Sequence, residues 1–519
     1  MTPAALPAAL AQAAAEQPGR PFFQMVDGEP WTFGAMHAHA LAWRDALAAS
    51  GVRAGAHVAT LIPTCADAVG VWMGLGWLRA LEAPLNLEYQ GAILAQVLNY
   101  CEPGHIIVHR RYVAAVDAVA GELAGGPVIL VLDDGDGAPP TRLSPLSPAP
   151  APVEAAIDAP EPPGLHDLAL MLFTSGTTGN PKGVLIPWGQ VAAGARGHDI
   201  DEPVVAYSVA PLFHTGGRGT IAASILHRRH VVFRERFSGS QFWSDIERYG
   251  CNFAGLMAAF LAFLGQAGLP EGFRGSPLRY VGTGRIPENF RPIARRLGLK
   301  FSTVFNMTEI SPPIASRGWL DELDGSCGHL REGYHCRIVD DHDREVPDGE
   351  PGELILRADE PFVLNQGYWR RPEDTVRAWR NLWFHTGDLF RRAPDGAYVF
   401  LERKDDRIRR RGENISSEEI ENVALRHPDI EACSAVGVRS QLWDDDIKLV
   451  ALLRPGRVLD PPALHAFMAA AMPAFMVPRY IELVDEIPRT PTGKAKRAVL
   501  RQAGVTPDTW DAAGGRRGA

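Results

Sequence analysis

The chain has 519 residues, more than usually fold around a single hydrophobic core, so at least two domains are expected. Its hydrophobic content of 46% and charged content of 22% are ordinary for a globular protein, and the net charge of −9 argues against general binding of nucleic acid. The N-terminus lacks the basic start and apolar core of a signal peptide, and no apolar run reaches the length of a membrane span. We therefore expect a cytoplasmic protein that binds no nucleic acid and has no membrane span.

The residues before 133 alternate predicted strands with predicted helices. A helix near the N-terminus is followed by a hairpin, and a regular alternation then begins. The predicted strands are 22–26, 30–33, 57–63, 83–86, 105–108 and 128–132, and the predicted helices are 34–47, 66–80 and 90–99. Such alternation is typical of βαβ units, which build parallel sheets. We predict an α/β fold, with a large N-terminal domain of several subdomains and mostly parallel sheets.

A strand followed by a loop rich in glycine and hydroxyl groups comes next. The apolar run Leu168–Leu172 leads into Thr174–Gly179, six successive residues that are Ser, Thr or Gly, and then into Pro181–Gly183. Glycine lets backbone N–H groups approach an anion, hydroxyls donate further hydrogen bonds, and Lys182 adds a positive charge. The common P-loop instead needs Gly-Lys-Ser/Thr at the start of a helix. The pattern predicts a phosphate-binding loop of another type.

The run from Phe173 to Val184 resembles the phosphate loop of the adenylate-forming superfamily, which contains acyl-CoA synthetases, peptide-synthetase adenylation domains and luciferase. The resemblance implies ATP-dependent activation of a carboxylic acid, with Thr177 as one ligand of Mg²⁺. Within the superfamily, segment 410–420 and the chain length are similar to the carnitine/crotonobetaine CoA ligase branch. The ATP-binding residues implied in the loop are Thr174, Ser175, Gly176, Thr177, Thr178 and Lys182.

A predicted strand at 204–208 runs into a segment broken by proline and glycine. The carboxyl ends of strands in open α/β sheets are where binding sites form. The resemblance implies that Phe213, His214 and Gly217 line the pocket for the acid, and that His214 shifts between the two half-reactions and belongs to the catalytic residues. Arg218, one helical turn later, is predicted either to neutralise a polar or anionic end of the substrate or to sit in a surface salt bridge.

A second glycine turn follows the predicted strand that ends at Gly282. It does not fit the dinucleotide fingerprint, because Pro287 stands where the third glycine belongs. The resemblance implies that Gly284 packs against the nucleotide and that Gly282 and Thr283 contact the acid. Thr283 and Arg285 stand where the family usually has small residues and a proline.

The segment from Phe305 to Glu309 resembles the superfamily's aromatic-Gly-Met-Thr-Glu motif, with Asn306 in the place of glycine. The resemblance implies that Phe305 and Asn306 bind the nucleotide, the former by stacking on adenine. It also implies that Met307 lines the acid pocket and that Thr308 bonds the α-phosphate. Glu309 is implied to hold Mg²⁺, a hard cation that prefers oxygen ligands.

A ribose site and a domain junction are predicted further on. Asp388 follows a Thr-Gly turn, and a carboxylate presents two acceptor oxygens to the two ribose hydroxyls. The resemblance implies that Arg403 supports the same region of the nucleotide. It also implies that Asp405 is the hinge between a nucleotide- and acid-binding domain of residues 1–404 and a second domain of residues 405–519.

The second domain is predicted to be small, mobile and of the α+β type. The resemblance implies that Gly412 lines the channel for the pantetheine arm of CoA. Lys494, at the tip of the loop from Pro488 to Arg497, resembles the catalytic lysine of the superfamily. A cation there offsets the repulsion between the substrate carboxylate and the α-phosphate.

These motifs predict an AMP-forming acid–thiol ligase, an acyl-CoA synthetase. A carboxylic acid and MgATP give an acyl-adenylate and pyrophosphate, and the thiol of CoA then displaces AMP. The cofactors are ATP, Mg²⁺ and coenzyme A as co-substrate. Two alternatives stay open: a carrier protein or a nitrogen nucleophile as acceptor, and a catalytically silent nucleotide-binding protein. The identity of the acid and the oligomeric state are also open, with a homodimer among the alternatives.

Overall fold

The computed structural model describes residues 4–132, 144–146, 161–174, 182–197, 200–404, 408–410, 413–415, 417–439, 445–472, 476–490 and 493–514. Of these, the residues up to 336 and residues 356–384 form one compact unit, and residues 337–355 and 385–514 form a second. In the described part of the chain, no helix is both long enough and apolar enough to cross a membrane.

The first unit contains most of the strands. They are β1 (Pro21–Met25), β2 (Trp31–Thr32), β3 (His57–Leu61), β4 (Leu81–Pro84), β5 (His105–His109), β6 (Val128–Leu132), β7 (Ser144–Leu146), β8 (Leu168–Thr174), β9 (Lys182–Pro187), β10 (Val205–Ser208), β11 (His230–Phe233), β12 (Phe253–Gly255), β13 (Tyr280–Gly282), β14 (Lys300–Ser302), β15 (Val304–Phe305), β16 (Ile314–Ala315) and β17 (His329–Leu330).

Two seven-stranded sheets organise this unit. One has the order β14-β13-β12-β10-β11-β1-β2, and the other has the order β7-β6-β5-β3-β4-β8-β9. Neighbouring strands are parallel except at one edge of each sheet, where β2 and β9 run antiparallel to their neighbours. A three-stranded sheet, β15-β16-β17, follows. The mostly parallel order confirms the predicted α/β class.

Helices connect the parallel strands. They are α1 (Leu6–Glu16), α2 (Phe33–Ala49), α3 (Ala66–Trp77), α4 (Gly91–Cys101), α5 (Val113–Val119), α6 (Trp188–Gly194), α7 (Thr215–Leu226), α8 (Phe242–Arg248), α9 (Ala258–Ala267), α10 (Arg291–Leu297) and α11 (Pro372–Ala378). α2 begins one residue before the predicted start, because the side chain of Thr32 caps it by accepting from Ala35 N.

The core between the first helices depends on close helix packing. α3 is apolar on nearly every side and is almost wholly buried, as expected for a helix enclosed by other elements. Gly74 of α3 lies so near α2 that a Cβ there would be 2.8 Å from Arg44 N. Trp72 stacks on Trp188 of α6 with ring centres 5.4 Å apart. This packing joins the N-terminal helices to the helix that follows β9.

The second unit combines small sheets with a few helices. The remaining elements of the chain are β18 (Tyr334–Val339), β19 (Gly352–Ala358), β20 (Phe384–Arg392), β21 (Tyr398–Arg403), β22 (Ile408–Arg410), β23 (Glu413–Ile415), α12 (Ser417–Ala424), β24 (Ile430–Arg439), β25 (Asp445–Leu453), α13 (Pro461–Ala471), β26 (Tyr480–Leu483), α14 (Arg497–Ala503) and β27 (Trp510–Asp511). β18 to β21 form a four-stranded sheet, β22 and β23 pair antiparallel, and β24 to β27 form a mixed sheet.

The predicted small α+β domain at the C-terminus is confirmed as a fold class. Its core contains buried isoleucines from several elements, including Ile408, Ile420 and Ile481. Residues 337–355 and 385–404, which precede the predicted junction, belong to the second compact unit. The domain boundary at 404/405 stays a prediction, and the predicted hinge Asp405 lies outside the described residues.

Candidate active site

β8 and β9 flank the predicted phosphate loop. β8 ends at Thr174 and β9 begins at Lys182, and these two residues are paired in antiparallel register. Both are half-buried. Four residues predicted to bind phosphate lie between them, outside the described residues: Ser175, Gly176, Thr177 and Thr178. The loop itself stays a prediction, and the described site begins at its two ends.

Lys182 lies between a carboxylate and an aromatic ring. Its Nζ is 3.3 Å from Oδ2 of Asp374 and 5.4 Å from the centre of the Tyr368 ring. Asp374 stands in the first turn of α11, where the helix dipole also favours a negative charge. The lysine side chain is 27% exposed, so its cation is held by the protein and still reaches solvent.

Glu309, the predicted Mg²⁺ ligand, is buried. Tyr368 Oη donates to Glu309 Oε1 at 3.1 Å. The backbone oxygen of Glu309 accepts from Asn365 N at 3.1 Å and from Asn365 Nδ2 at 2.8 Å. The Asn365 side-chain oxygen accepts in turn from N of Gly367, whose φ of +97° favours glycine. Both the backbone and the carboxylate of Glu309 are therefore fixed by residues 365–368.

The hydroxyl of Tyr368 is a stable donor. Burial raises the pKa of Tyr368 above its ordinary value, and the charge of Glu309 and the hydrogen bond to it raise that pKa further. The hydroxyl therefore keeps its proton at neutral pH and continues to donate to the carboxylate.

The other residues of the second motif lie on β15 and in the turn after it. Phe305 is buried on β15, whereas Asn306 is exposed and Met307 is half-buried. The backbone oxygen of Thr308 accepts from Nε2 of Gln190, a buried residue of α6, at 2.9 Å. Gln190 thus ties this turn to α6, the helix that follows β9. The contacts of these residues with adenine, acid and phosphate stay predictions.

The predicted acid-pocket residues Phe213 and His214 stand at the start of α7. His214 is exposed and is the N-cap residue, and its Nδ1 accepts from Gly216 N at 3.4 Å. Phe213 is half-buried. Gly217 is buried, and a Cβ there would be 2.3 Å from the backbone oxygen of Pro211. Glycine at 217 therefore lets the helix start close against the segment that carries Phe213.

Arg218 has a different environment from the surface salt bridge that was one alternative. Its side chain is 3% exposed, and its Nη2 donates to Glu82 Oε1 at 2.7 Å. Nε donates to the backbone oxygen of Leu212, and the guanidinium carbon lies 4.5 Å from the Trp72 ring centre. The surface alternative is wrong, because Arg218 forms a buried pair inside the first unit. Its contact with a substrate stays a prediction.

β13 ends at Gly282, as the sequence predicts, and a bend follows it at Gly284. Gly282 pairs with Ser302 of β14, and a Cβ on Gly282 would meet the Phe253 ring at 3.6 Å. Thr283 is buried, and its hydroxyl donates to the backbone oxygen of Arg285 at 3.2 Å. Gly284 is exposed, with open space where a side chain would be. The Thr283 hydroxyl is thus used within the turn.

The predicted ribose ligand Asp388 belongs to the second unit, where it is buried on β20. It is paired across the sheet with Arg403 of β21, and Arg403 Nε lies 3.5 Å from Asp388 Oδ1. The backbone N of Asp388 donates to Thr386 Oγ1 at 3.0 Å, and that hydroxyl donates to the Leu354 backbone oxygen at 2.7 Å. The structure thus brings together the two residues predicted to support the ribose.

Lys494 is exposed at the tip of a tight turn in the second unit. Its backbone N donates to Thr490 Oγ1 at 3.1 Å, and its backbone oxygen accepts from Thr490 N at 2.7 Å. The backbones of Arg489 and Ala495, on either side of the turn, pair in an isolated antiparallel β-bridge. The catalytic role of Lys494 stays a prediction. Gly412, predicted to line the CoA channel, lies outside the described residues.

Residues 10–369 match the protein family described as AMP-binding enzyme, and residues 419–494 match its C-terminal domain. The chain belongs to the AMP-binding enzyme family. A relative from Cupriavidus necator named sulfoacetate–CoA ligase is 30% identical over 95% of this chain and 97% of its own length. A crotonobetaine/carnitine–CoA ligase from Escherichia coli O157:H7 is 28% identical over 87% of this chain and 89% of its own.

A solved structure has a similar fold. The anthranilate CoA ligase AuaEII, in complex with anthranoyl-AMP, has a TM-score of 0.82 and 24% identity, covering 96% of this chain and 97% of its own. The family match and the relatives confirm the predicted adenylate-forming superfamily and the class of AMP-forming acid–thiol ligase. A relative of the predicted crotonobetaine/carnitine branch is among these proteins.

The donor groups of this AMP-binding enzyme fit the predicted nucleotide and metal. Glu309 presents a carboxylate, the hard oxygen donor that Mg²⁺ prefers, and Lys182 presents a cation suited to phosphate. Asp388 offers carboxylate oxygens to ribose hydroxyls. Among the described residues there is no cluster of three His, Cys, Asp or Glu side chains able to form another metal site.

The Gly367-Tyr368 pair is predicted from the sequence to belong to the nucleotide site. Three other residues of the site were not singled out by sequence reasoning. Each acts through a partner far along the chain, which no periodicity reveals. They are Asp374, Asn365 and Gln190.

Proposed function

We propose that this AMP-binding enzyme is an ATP-dependent acid:CoA ligase that works in two half-reactions. The observation that carries the proposal is the joining of Lys182 and Glu309 through Tyr368. One group is a cation at the end of a phosphate loop and the other is a buried carboxylate suited to Mg²⁺, and the same ring contacts both. Nucleotide triphosphate chemistry needs these two functions side by side.

In the first half-reaction, an oxygen of the acid attacks the α-phosphorus of ATP, and the bond to pyrophosphate breaks. Lys182 binds phosphate oxygens, and the Thr308 hydroxyl donates to the α-phosphate. Glu309 would hold Mg²⁺, which would neutralise phosphate charge there. Lys494 places a cation between carboxylate and phosphate, which otherwise repel each other, so it stabilises the transition state more than the separate reactants.

In the second half-reaction, the thiolate sulfur of CoA attacks the acyl carbon, and the bond to AMP breaks. Phe213 and His214 line the acid pocket at the start of α7, and His214 changes position between the half-reactions. Gly412 leaves room for the pantetheine arm. We infer that residues 405–519 rotate about Asp405 between the two steps, which exchanges Lys494 for the face that carries Gly412.

The test is pyrophosphate release with MgATP across a panel of acids, each with and without CoA. The names of the relatives suggest including sulfonated, betaine and aryl acids in the panel. We expect release that needs an acid and becomes catalytic only with CoA. Lys494→Ala should reduce acyl-adenylate formation by 100-fold or more, on the order of the loss seen when one electrostatic donor is removed from an active site.

Lys496→Ala is the matched control, since Lys496 is an exposed lysine two residues away. It should leave pyrophosphate release within about two-fold of wild type, as expected for a surface substitution. Equal losses in the two variants would contradict the assigned role of Lys494. Release with an acid but without stimulation by CoA would move the acceptor to a carrier protein or a nitrogen nucleophile. Absence of release with every acid would favour a silent nucleotide-binding protein.

A further inference from the structure

Tyr368 is held rigidly by the strand that begins at Lys182. Residues 366–369 run beside β9: Gln366 N donates to Leu185 O at 2.9 Å, and Leu185 N donates to Gly367 O at 3.0 Å. Trp369 N donates to Gly183 O at 2.8 Å, so the segment is fixed on both sides of the tyrosine. The backbone N of Tyr368 also donates to a threonine hydroxyl of α11. The backbone of Tyr368 therefore follows that of the phosphate-loop lysine.

The tyrosine side chain makes two different contacts. Its ring face receives the Lys182 ammonium at 5.4 Å, a distance at which a cation is attracted by the ring quadrupole. Its hydroxyl donates to one oxygen of Glu309. These two partners are 127 residues apart in the chain and are brought together by the one side chain.

We propose that Tyr368 is a positioning residue that aligns Glu309 with Lys182, so that Mg²⁺ and the phosphates of ATP bind as one unit. This inference rests on the proposed function for the identity of the ligand. Because the hydroxyl donates to Oε1, it restrains the rotation of the carboxylate that is proposed to bind the cation. The hydrogen bond goes to a charged group, which makes it stronger than a bond between neutral groups.

The first variant is Tyr368→Phe, which removes the hydroxyl and keeps the ring under Lys182. The measurement is equilibrium binding of ATP, without acid or CoA, by calorimetry at a series of Mg²⁺ concentrations. We expect the Mg²⁺ concentration for half-maximal enhancement of ATP binding to rise about ten-fold, the effect of losing one hydrogen bond to a charged group. ATP binding in the absence of Mg²⁺ should change less than two-fold.

The matched control is Tyr207→Phe. Tyr207 is also buried, and its hydroxyl donates to a carboxylate, Asp245, at 2.8 Å. It lies on β10 and is not part of the proposed site. This variant should leave the Mg²⁺ dependence of ATP binding unchanged. If the Mg²⁺ concentration for half-maximal enhancement of ATP binding rose similarly in both variants, the cause would be a general loss of rigidity, and the proposal would be overturned.

A double-mutant cycle separates a positioning role from a structural one. In a Glu309→Gln background the carboxylate charge is absent. Under the proposal, the tyrosine hydroxyl acts on Mg²⁺ only by positioning that carboxylate, so its removal should have no further effect there. We expect Tyr368→Phe to cause no further change in Mg²⁺ dependence there, whereas equal effects in both backgrounds would overturn the proposal. If the wild-type chain binds MgATP but activates no acid, the proposed function fails and the binding series still tests Tyr368.

Discussion

Arg218 and Glu82 form an ion pair enclosed within the first unit, with Nη2 and Oε1 2.7 Å apart and side chains 3% and 1% exposed. Glu82 lies on β4, which pairs with β8, the strand that precedes the predicted phosphate loop. Arg218 lies on α7, whose first turn follows His214. Thr60 donates its hydroxyl to the same Glu82 oxygen at 2.7 Å. The pair therefore connects the helix of the predicted acid pocket with the sheet whose strands β8 and β9 flank the predicted phosphate loop.

Replacing one partner of this pair should strongly destabilise the first unit. Glu82→Gln leaves the Arg218 charge buried without its counter-ion, which costs about 3–5 kcal/mol in the free energy of unfolding. Urea denaturation followed by tryptophan fluorescence measures this. The double variant Glu82→Leu with Arg218→Met should lose less than the sum of the single variants, because no charge then stays buried.

The control for this prediction is an exposed pair. Arg196 and Glu360 approach to 2.8 Å, but both side chains are more than 40% exposed. Glu360→Gln should cost less than about 1 kcal/mol, as for surface ion pairs in general. If Glu82→Gln costs no more than Glu360→Gln, the pair does not support the fold as we infer.

The Arg218 pair also shows where sequence reasoning ends. Apolar runs and glycine breaks are local signals, since the residues that form each of them are neighbours in the chain. They therefore predicted the alternation of strands and helices and a phosphate loop after β8. Glu82 and Arg218 are separated by 136 residues, and Glu309 and Tyr368 by 59. Contacts between such distant residues depend on the order of strands in the sheets and on how α7 and β9 pack. Local patterns in the sequence do not reveal either. For Arg218 the sequence left two alternatives, of which the structure excludes the surface salt bridge and leaves the contact with a substrate as a prediction.

Gly217→Ala should disturb the acid pocket, whereas Gly219→Ala should not. An alanine Cβ at 217 would come within 2.3 Å of the Pro211 backbone oxygen, so the segment before α7 must move. At 219 nothing lies within 4 Å of the added atom. We expect Gly217→Ala to raise the KM for the acid at least ten-fold, since backbone atoms cannot yield without displacing Phe213.

Gly219→Ala serves as the control on the same helix. Alanine is favoured over glycine in a helix interior, by about 1 kcal/mol. This variant should therefore show unchanged kinetics and equal or higher thermal stability. A normal KM in Gly217→Ala, with the protein folded by circular dichroism, would place the acid elsewhere than at the start of α7.

We expect Glu353 to make the free energy of unfolding of the second unit fall at acidic pH. It is buried, and Gly387 N donates to its Oε1 at 3.2 Å in the turn before Asp388. Burial favours a higher pKa for Glu353, but the His385 ring, whose Nδ1 lies 3.3 Å from Oε1, and the charge of Lys404 outweigh it and lower the pKa to about 2. Because this value lies below the ordinary one of 4.5, the stabilisation is complete above pH 4.5 and is lost as pH falls toward 2.

The comparison is Glu353→Gln against wild type in urea at several pH values. At pH 7 we expect wild type to be more stable by about 3 kcal/mol, from a pKa difference of that size. The difference should narrow by about 1 kcal/mol or more by pH 3.5, because the carboxylate of the unfolded chain is then protonated. Glu350→Gln, at an exposed position, should show no such dependence. A constant difference across pH would contradict the predicted role of the charge.

Asp374→Asn should tighten ATP binding. In the structure, Lys182 has Asp374 as an anionic partner at 3.3 Å, and this pair is partly exposed. A phosphate that binds Lys182 must compete with that carboxylate. Removing the competing charge should lower the Kd for ATP by about two- to five-fold, which corresponds to the contribution of a solvent-accessible ion pair. The gain should shrink in high salt, because salt screens partly exposed charges.

Glu373→Gln is the matched control, since it removes the same charge from the neighbouring, exposed position on α11. It should change the Kd for ATP much less, because it is Asp374 that forms the ion pair with Lys182. Calorimetry at low and high salt measures both variants. If Asp374→Asn weakens ATP binding instead, Asp374 orients Lys182 toward the phosphates rather than competing with them, and the pair persists in the nucleotide complex.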